Sequence, residues 1–462
     1  LRQVKECYNN QKQTSQAKSE VIVMPKKYRN FWNEKMETMS QDELHQLHEQ
    51  KLLKQVKYAY ENSLLYHEKF KAVGLEPGDM KGLDDLCRIP FTEKKEIREA
   101  QLSQPPVGKH RACPVSAVSR IYSSSGTTGV PTYIGLTKHD IGVYTEGIAR
   151  FCWCTGIQPD SVVVNIPTAP FIADMFREGI EKTGAAHIPT GFNTERVIAA
   201  FQYQGANALH STVSFWSYLL EEVQKRGINP RELGIQTIIG GAEGGTKAVR
   251  PIIEDGFGAT VAEGMGMGEI LCVIWGECVQ NRGHGMHYIA QGLVHVELID
   301  PETGQRLEVK DGATGEIIYT ALENECMPLI RYRSRDHVTV VSTDKCDCGR
   351  TGYRIKVLGR TDDMLTVLGV NVYPLAIKDV VSNLRPKVSG EIEIQLEKPG
   401  PVVEPPLKIK VELGKEPGPL DSLKAAIDGL LREKLMFRAD TELVPKLPRY
   451  QYKAKIIREA QE

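Results

Sequence analysis

Ile235-Gln-Thr-Ile-Ile239-Gly-Gly-Ala-Glu243 passes from apolar, β-branched residues into two glycines and a carboxylate. An apolar run of this length, bounded by turn residues, predicts a buried strand. Glycine directly behind it predicts a place where backbone comes close to a ligand. The same reading extends outward. Residues 162–166 and 294–299 are further apolar runs of strand length, and helical spacing marks 194–201 and 215–226. Strands alternating with helices predict an α/β fold whose sheet is covered on its faces. Residues 286–341 carry several short alternating runs, which predict an antiparallel β unit.

Toward the N-terminus the pattern is helical from Phe31 onward, with Leu44, Leu47, Leu52, Leu53, Val56 and Ala59 recurring at helical spacings, and Thr92-Glu-Lys-Lys-Glu96 reads as a helix start capped by threonine. Residues 1–30 are polar and weakly periodic. Near 359–363 the pattern restarts. Leu407, Ile409, Val411 and Leu413 alternate as a half-buried strand, and Leu423, Ile427, Leu430 and Leu431 fall at helical spacing. The expected organisation is an N-terminal extension (1–30), a large α/β domain (31–360) and a small, mobile α+β domain (361–462). The 462 residues carry 58 Lys+Arg against 59 Asp+Glu. That balance argues against a nucleic-acid partner or an anionic membrane surface. No segment approaches the roughly 20 apolar residues of a membrane span. Ten dispersed cysteines without an export signal predict a reduced, cytoplasmic protein.

Four loops hold the residue types that do chemistry. Ser123-Ser-Ser-Gly-Thr-Thr-Gly129 offers hydroxyls and unhindered backbone N–H groups, which suit a phosphate cradle. It lacks the Gly-Lys-Ser/Thr ending of a Walker loop, and a polar surface turn has the same composition. Glu263-Gly-Met-Gly-Met-Gly-Glu269 ends on a carboxylate suited to Mg2+ on a nucleotide, since Mg2+ takes one or two carboxylates plus phosphate oxygens. Arg331-Tyr-Arg-Ser-Arg-Asp336 and Gly359-Arg-Thr-Asp-Asp-Met364 gather cations and acids. Arginine can face phosphate and a carboxylate can accept both hydroxyls of a ribose, while an interdomain ion-pair network is the competing reading. Separately, Cys346 and Cys348, with Cys278 and His287 (His284 lying close by), form the ligand set of a closed structural zinc site, with buried free thiols as the alternative.

In order along the chain, Ser124-Ser-Gly-Thr-Thr-Gly129, Gly241-Ala-Glu243, Gly266-Met-Gly-Glu269, Tyr332-Arg-Ser-Arg-Asp336 and Gly359-Arg-Thr-Asp-Asp-Met364, followed by Gly369-Val-Asn-Val-Tyr-Pro374, resemble the motifs of adenylate-forming enzymes, most of all the phenylacetate–coenzyme A ligase branch. The resemblance runs over roughly residues 31–458 and includes Ile89-Pro-Phe-Thr-Glu-Lys94 and Cys348-Gly-Arg-Thr351. It implies a two-step reaction. A carboxylate attacks the α-phosphate of Mg·ATP to give acyl-adenylate and pyrophosphate, and the thiol of coenzyme A then displaces AMP. By match to the motifs, Ser124, Ser125, Thr127 and Thr128 close over the β and γ phosphates. Gly241, Ala242 and Glu243 border adenine and the acyl group, and Met265 stands where an aromatic ring usually stacks on adenine. Glu269 sits on Mg2+, Asp336 accepts the ribose hydroxyls, and Arg360 lies near ribose or phosphate. Asp362 matches the hinge and Gly369 the glycine that lets the pantetheine arm pass. Lys453, in Pro448-Arg-Tyr-Gln-Tyr-Lys453, matches the mobile catalytic lysine, with Lys455 as the fallback.

Three positions depart from the branch: Val130 in place of lysine, Met265 in place of an aromatic residue, and Tyr452 in place of glycine. The expected substrate is a small aromatic or arylacetic acid, with an acyl pocket built from Pro167, Phe171, Phe215 and Trp216. Arg177 is either a cation for a second anionic group there or a helix-face partner of Glu178 or Glu181. Relatives of this kind are often homodimers. Two other readings fit the same motifs: transfer of the acyl group to a carrier-protein thiol, and a degenerate nucleotide-binding homologue.

Overall fold

The computed structural model describes residues 29–123, 131–166, 173–367, 370–398, 400–450 and 456–459. A hairpin of β1 (Arg120–Ser123) and β2 (Tyr133–Leu136) comes first. There follow β3 (Val162–Asn165), β4 (Ala186–Ile188), β5 (Ala208–Thr212), β6 (Thr237–Gly241) and β7 (Thr260–Met267), which pair in parallel. Next are β8 (Cys272–Gly276), β9 (Met286–Tyr288), β10 (Val294–Ile299), β11 (Arg306–Leu307), β12 (Thr314–Ala321), β13 (Tyr332–Ser342) and β14 (Arg354–Arg360), all antiparallel. The predicted β unit is not a separate sheet. Among the described residues it continues the parallel half in the order β11-β10-β12-β13-β14-β9-β8-β7-β6-β5-β3-β4, because β7 pairs in parallel with β6 and antiparallel with β8.

Side-chain alternation sorts the strands onto two cores. Val164, Ile238 and Val261 face a cluster with Val197, Phe201, Phe215, Trp216 and Phe257 from the helices Thr194–Tyr203, Val213–Lys225 and Thr246–Phe257. Their neighbours Val163, Ile239 and Ala262 face the opposite cluster, with Ile148, Phe151 and Ile180 from the helices Lys138–Cys154 and Ala173–Lys182. Burying a large apolar side chain in this way contributes about 1.5–3 kcal/mol. The sheet is thus covered on both faces, as the alternation of strands and helices predicts.

Two local readings shift. The strand expected at 235–239 is β6, two residues later, because Gly234 ends a short 3-10 turn in the left-handed region and the ladder starts only after Gln236. Gly240 and Gly241 therefore lie inside the strand. A Cβ on Gly240 would stand 1.9 Å from Ser211 O, and one on Gly241 2.0 Å from Gly264 O. Thr92 does not cap the helix Lys94–Ser103; Glu93 does. Thr92 instead bridges to Tyr332, accepting from Arg333 N and donating to Arg331 O at 2.9 Å each, which ties the helix start to β13.

Beyond Asp363 lie β15 (Leu365–Val367), β16 (Val370–Val372), β17 (Val388–Leu396), β18 (Val402–Val403), β19 (Leu407–Leu413), β20 (Ala439–Val444) and β21 (Ile457–Glu459), with the helices Pro374–Ser382 and Leu420–Leu435. These form two further sheets and enclose their own cluster of Ile377, Ile394, Ile409, Ile427 and Leu431. Residues 31–462 as a whole form one compact unit. No described helix is long and apolar enough to cross a membrane.

Candidate active site

The parallel half of the sheet gives way to the antiparallel half at the turn after β7, and Glu269 sits on that turn, 5% exposed. Gly266, within β7, leaves an exposed stretch of backbone just before it. Lys94 Nζ, from the start of the helix tied to β13, lies 2.8 Å from Glu269 Oε1, an ion-pair contact without the angle of a hydrogen bond. At the end of β6, Ala242 is exposed with φ of 67°. Glu243 accepts from Ser214 Oγ at 2.9 Å and from Ser214 N, at the positive end of the helix Val213–Lys225.

Tyr332 gathers the charged groups. Burial pushes its hydroxyl well above the usual tyrosine range; Glu269 and Asp336 push the same way, and Arg360 and Arg98 oppose them. Asp336 pairs with Arg360 across the β13–β14 ladder, and Arg360 Nη1 is 3.6 Å from its carboxylate. Burial raises Asp336 from the ordinary aspartate value to about 6, against the pull of Arg360 and of Ser334. The same guanidinium donates from Nε and Nη2 to both oxygens of Asp362, at 2.9 and 2.8 Å, and from Nη1 to Ser334 O at 3.1 Å. The structure places Glu269 on the turn after β7 and Asp336 and Arg360 on β13 and β14, with Asp362 just beyond; Gly241 ends β6, Ala242 and Glu243 follow it, and the half-buried Met265 is on β7.

Ser124, Ser125, Thr127, Thr128, Val130, Pro167, Phe171, Gly369, Tyr452, Lys453 and Lys455 lie outside the described residues. Phe215 and Trp216 are fully buried in the apolar cluster under β5 and β6. Arg177 is 43% exposed on its helix, with Glu178 and Glu181 each 3.8 Å away. Three groups were given no role by the sequence reading. Lys94 is one. The others are His210 at β5 and its partner Asn165 at β3, their Nδ1 and Oδ1 2.7 Å apart, with the His210 ring stacked on Phe176 at 4.1 Å. Burial lowers His210 to about 3, so the ring is neutral at ordinary pH. Lys94 closes the stretch Ile89–Lys94 of the resemblance, while His210 and Asn165 lie in no motif; the partners are 45 to 175 residues apart in sequence, and only the fold reveals the pairings.

At the opposite end of β14 from Arg360, Cys278, His287, Cys346 and Cys348 are all buried, their ligand atoms within 4.8 Å of one another. Cys278 Sγ and Cys346 Sγ are 3.9 Å apart, and Cys348 Sγ is 3.8 Å from His287 Nε2. Ligands of one tetrahedral zinc lie about 3.6–3.8 Å apart. His287 Nδ1 is 3.0 Å from Gly352 O, and donating there turns the Nε2 lone pair toward the thiols. Asn281 Nδ2 donates to Cys346 Sγ at 3.4 Å. Arg350, two residues past Cys348, is 2% exposed and pairs with the fully buried Glu37 at 2.7 Å.

The small sheets meet the large one through ion pairs. Glu221, on the helix Val213–Lys225, is bound by Lys446 and lies 2.8 Å from Arg449 Nε, and Arg449 also donates to Glu412 at 2.6 Å. Lys247 pairs with Asp379 at 3.3 Å.

No family model matches the chain. The phenylacetate–coenzyme A ligase of Thermus thermophilus is 35% identical over 397 residues, covering 84% of this chain and 87% of that enzyme. A crystal structure of 2-hydroxyisobutyryl-CoA ligase in the postadenylation state, with R3-HIB-AMP, superposes with a TM-score of 0.86 at 26% identity, covering 95% of this chain and 94% of that one. The same ligase in the thioesterification state, with 2-HIB-AMP and CoA, gives 0.69 at 27% identity, covering 93% and 92%. With its mixed sheet, its Asp336–Arg360 pair across β13 and β14 and its likeness along most of its length, the chain belongs to the phenylacetate–coenzyme A ligase family and is an AMP-forming acid–thiol ligase.

Proposed function

We propose that this ligase joins a small aromatic or arylacetic acid to coenzyme A through an acyl-adenylate, consuming ATP, in the cytoplasm. The observation that carries the reading is the convergence of Glu269, Asp336 and Arg360 around Tyr332. A carboxylate is already a nucleophile, so the first step needs charge neutralisation and alignment more than proton transfer. Asp336, when ionised, accepts the two ribose hydroxyls and fixes the nucleotide's orientation. Arg360 pairs with that carboxylate, and its role is at the ribose or phosphate. Gly241, Ala242 and Glu243 present the strand end that borders adenine and the acyl group, with Met265 beneath adenine. Glu269, a buried carboxylate beside the exposed backbone of Gly266, fits Mg2+, which when bound to ATP neutralises phosphate charge.

Ser124, Ser125, Thr127 and Thr128 cradle the outer phosphates, Lys453 bridges carboxylate and α-phosphate, and the residues beyond Asp362 rotate as a unit so that Gly369 replaces Lys453 for attack by CoA. Higher similarity to the postadenylation state than to the thioesterification state supports an arrangement on the adenylate side of that rotation. An aromatic substrate is supported by the stack of Phe176 on the neutral ring of His210, in β5, within the parallel half of the sheet, at whose strand ends ligands commonly bind. The Cys278, His287, Cys346 and Cys348 cluster fits a structural zinc, and Zn2+ bound there would fix the loop after β13 to β9.

The test is pyrophosphate release across a panel of carboxylic acids, followed by CoA thioester formation with no carrier protein present. Release only with aliphatic acids overturns the aromatic assignment. Release without CoA transfer overturns the acceptor. Lys453→Ala should abolish pyrophosphate release yet spare CoA attack on supplied acyl-adenylate.

A further inference from the structure

Two chain segments outside helix and strand meet beside β2. One leads toward β1 and carries Cys113; the other joins β12 to β13 and carries Cys326. They are tied backbone to backbone. Ala112 N donates to Cys326 O at 2.9 Å, and the Tyr58 hydroxyl lies 2.9 Å from both Ala112 O and Glu325 O. Asp140 accepts from Glu325 N and Cys326 N at 2.7 and 3.0 Å, so Cys326 is held at both its N–H and its carbonyl. Its Sγ packs on Gly135 of β2, where an added Cβ would stand 2.6 Å away. The thiols of Cys113 and Cys326 hydrogen-bond to each other. A disulfide needs sulfurs about 2.05 Å apart on Cα atoms no more than about 7 Å apart. Hydrogen-bonded thiols on segments clamped in this way need only side-chain rotation to close.

The two thiols are not equivalent. Cys326 is fully buried, and Cys113 is 8% exposed. The hydrogen bond with Cys326 holds the Cys113 thiol below its ordinary value, with help from Arg111 and against burial, Asp140 and Glu325. Elsewhere burial pushes Cys152, Cys154 and Cys272 up to about 12, where a thiol is inert.

We propose that Cys113 and Cys326 are a peroxide-responsive pair: Cys113 is oxidised first and Cys326 resolves it, leaving a reversible disulfide that staples the approach to β1 to the loop between β12 and β13. The Cys113 sulfur attacks one oxygen of a peroxide and the O–O bond breaks. A sulfenic acid forms, and the departing oxygen leaves with the thiol's proton, as water when the oxidant is hydrogen peroxide. The Cys326 sulfur then attacks that sulfenic sulfur. The S–S bond forms, the S–O bond breaks, and water leaves with the second proton. Two electrons pass from the two thiols to the peroxide. The crosslink closes roughly two hundred residues of chain into one loop, which removes entropy from the unfolded chain.

The experiment treats the full chain with a few equivalents of hydrogen peroxide, alkylates the remaining thiols, digests, and maps the peptides by mass spectrometry. A Cys113–Cys326 linked peptide should appear and should vanish after dithiothreitol. In denaturant the oxidised protein should gain about thirty- to a thousandfold in its folded-to-unfolded ratio over the reduced protein. Cys326→Ser should accumulate sulfenic acid at Cys113, trapped by a dimedone probe, and give no linked peptide. Cys87→Ser, at an exposed thiol, should leave the crosslink intact. The mapping of wild-type protein needs no variant to fold. Oxidation confined to Cys278, Cys346 and Cys348, both thiols of the pair still open to alkylation after peroxide, or an unchanged unfolding midpoint overturns the proposal.

Discussion

Glu221→Ala should separate the two half-reactions. Glu221 lies on the large sheet's helix and takes Lys446 and Arg449 from the chain just before Lys453. Arg449 is 16% exposed and Glu221 22%, so the contact is neither free surface nor full interior. Fully exposed pairs contribute about 0.2–1 kcal/mol, and charge-assisted bonds shielded from water about 1.5–3 kcal/mol. Intermediate burial and two cations on one carboxylate place the loss at about 1–2 kcal/mol. With roughly 1.4 kcal/mol per factor of ten, the docked arrangement loses roughly five- to thirtyfold in population. Single-turnover pyrophosphate release should slow by up to that factor. CoA attack on supplied acyl-adenylate should hold or quicken, because the other arrangement is favoured. High salt should mimic part of the effect in wild-type protein. The reasoning fails if both half-reactions slow equally, or if release is unchanged while the melting temperature falls.

Asp336 is raised to about 6, and the ionised form is the one that accepts ribose hydroxyls. AMP affinity should therefore be level above pH 6 and fall as pH drops through it. Asp336→Asn should bind weakly at every pH and, with the cost of a buried charge removed, be more stable at neutral pH by up to about 3 kcal/mol; a flat wild-type profile would count against the assignment. Purified protein should carry about one zinc per chain, resistant to mild chelation, and Cys346→Ser should lose it; folded, active protein without metal would remove the claim. Arg350→Met should cost about 3–5 kcal/mol in denaturant unfolding, because Glu37 is left buried and unpaired, and Glu37→Met added to it should restore much of the loss.

β19 was legible in the sequence because its first residues alternate between core and surface, a period-2 signal that needs no tertiary context, and β10 because it is an apolar run of strand length, buried at every position but the half-buried Val296. The cysteine and histidine set was legible because ligand chemistry admits few residue types, even across 70 positions. The register of β6 was not. Ile235 is buried before the ladder begins, and apolarity alone does not distinguish a buried approach from a paired strand. Nor was the joining of the two β regions, which depends on β7 pairing with opposite senses on its two edges. Lys94 looks like any lysine in a helix's first turn until Thr92 is seen bonded to β13. Phe215 and Trp216 were read as lining the acyl pocket. The structure finds both buried on the helix Val213–Lys225 among the apolar side chains beneath β5 and β6.

Arg360 carries one further consequence. Its single guanidinium touches Asp336 on one side and grips Asp362, at the exit to the small sheets, on the other. Any ligand that draws on Asp336 alters what Arg360 gives to Asp362, and any change in backbone direction at Asp362 alters what Arg360 gives to Asp336. Thermodynamic linkage makes the two effects equal. If the orientation beyond Asp362 changes nucleotide affinity by some factor, nucleotide changes the balance of orientations by that same factor. Departure of AMP and resetting of the small sheets would then be one event viewed from two ends, and a label reporting the angle between the two parts would also serve as a nucleotide sensor.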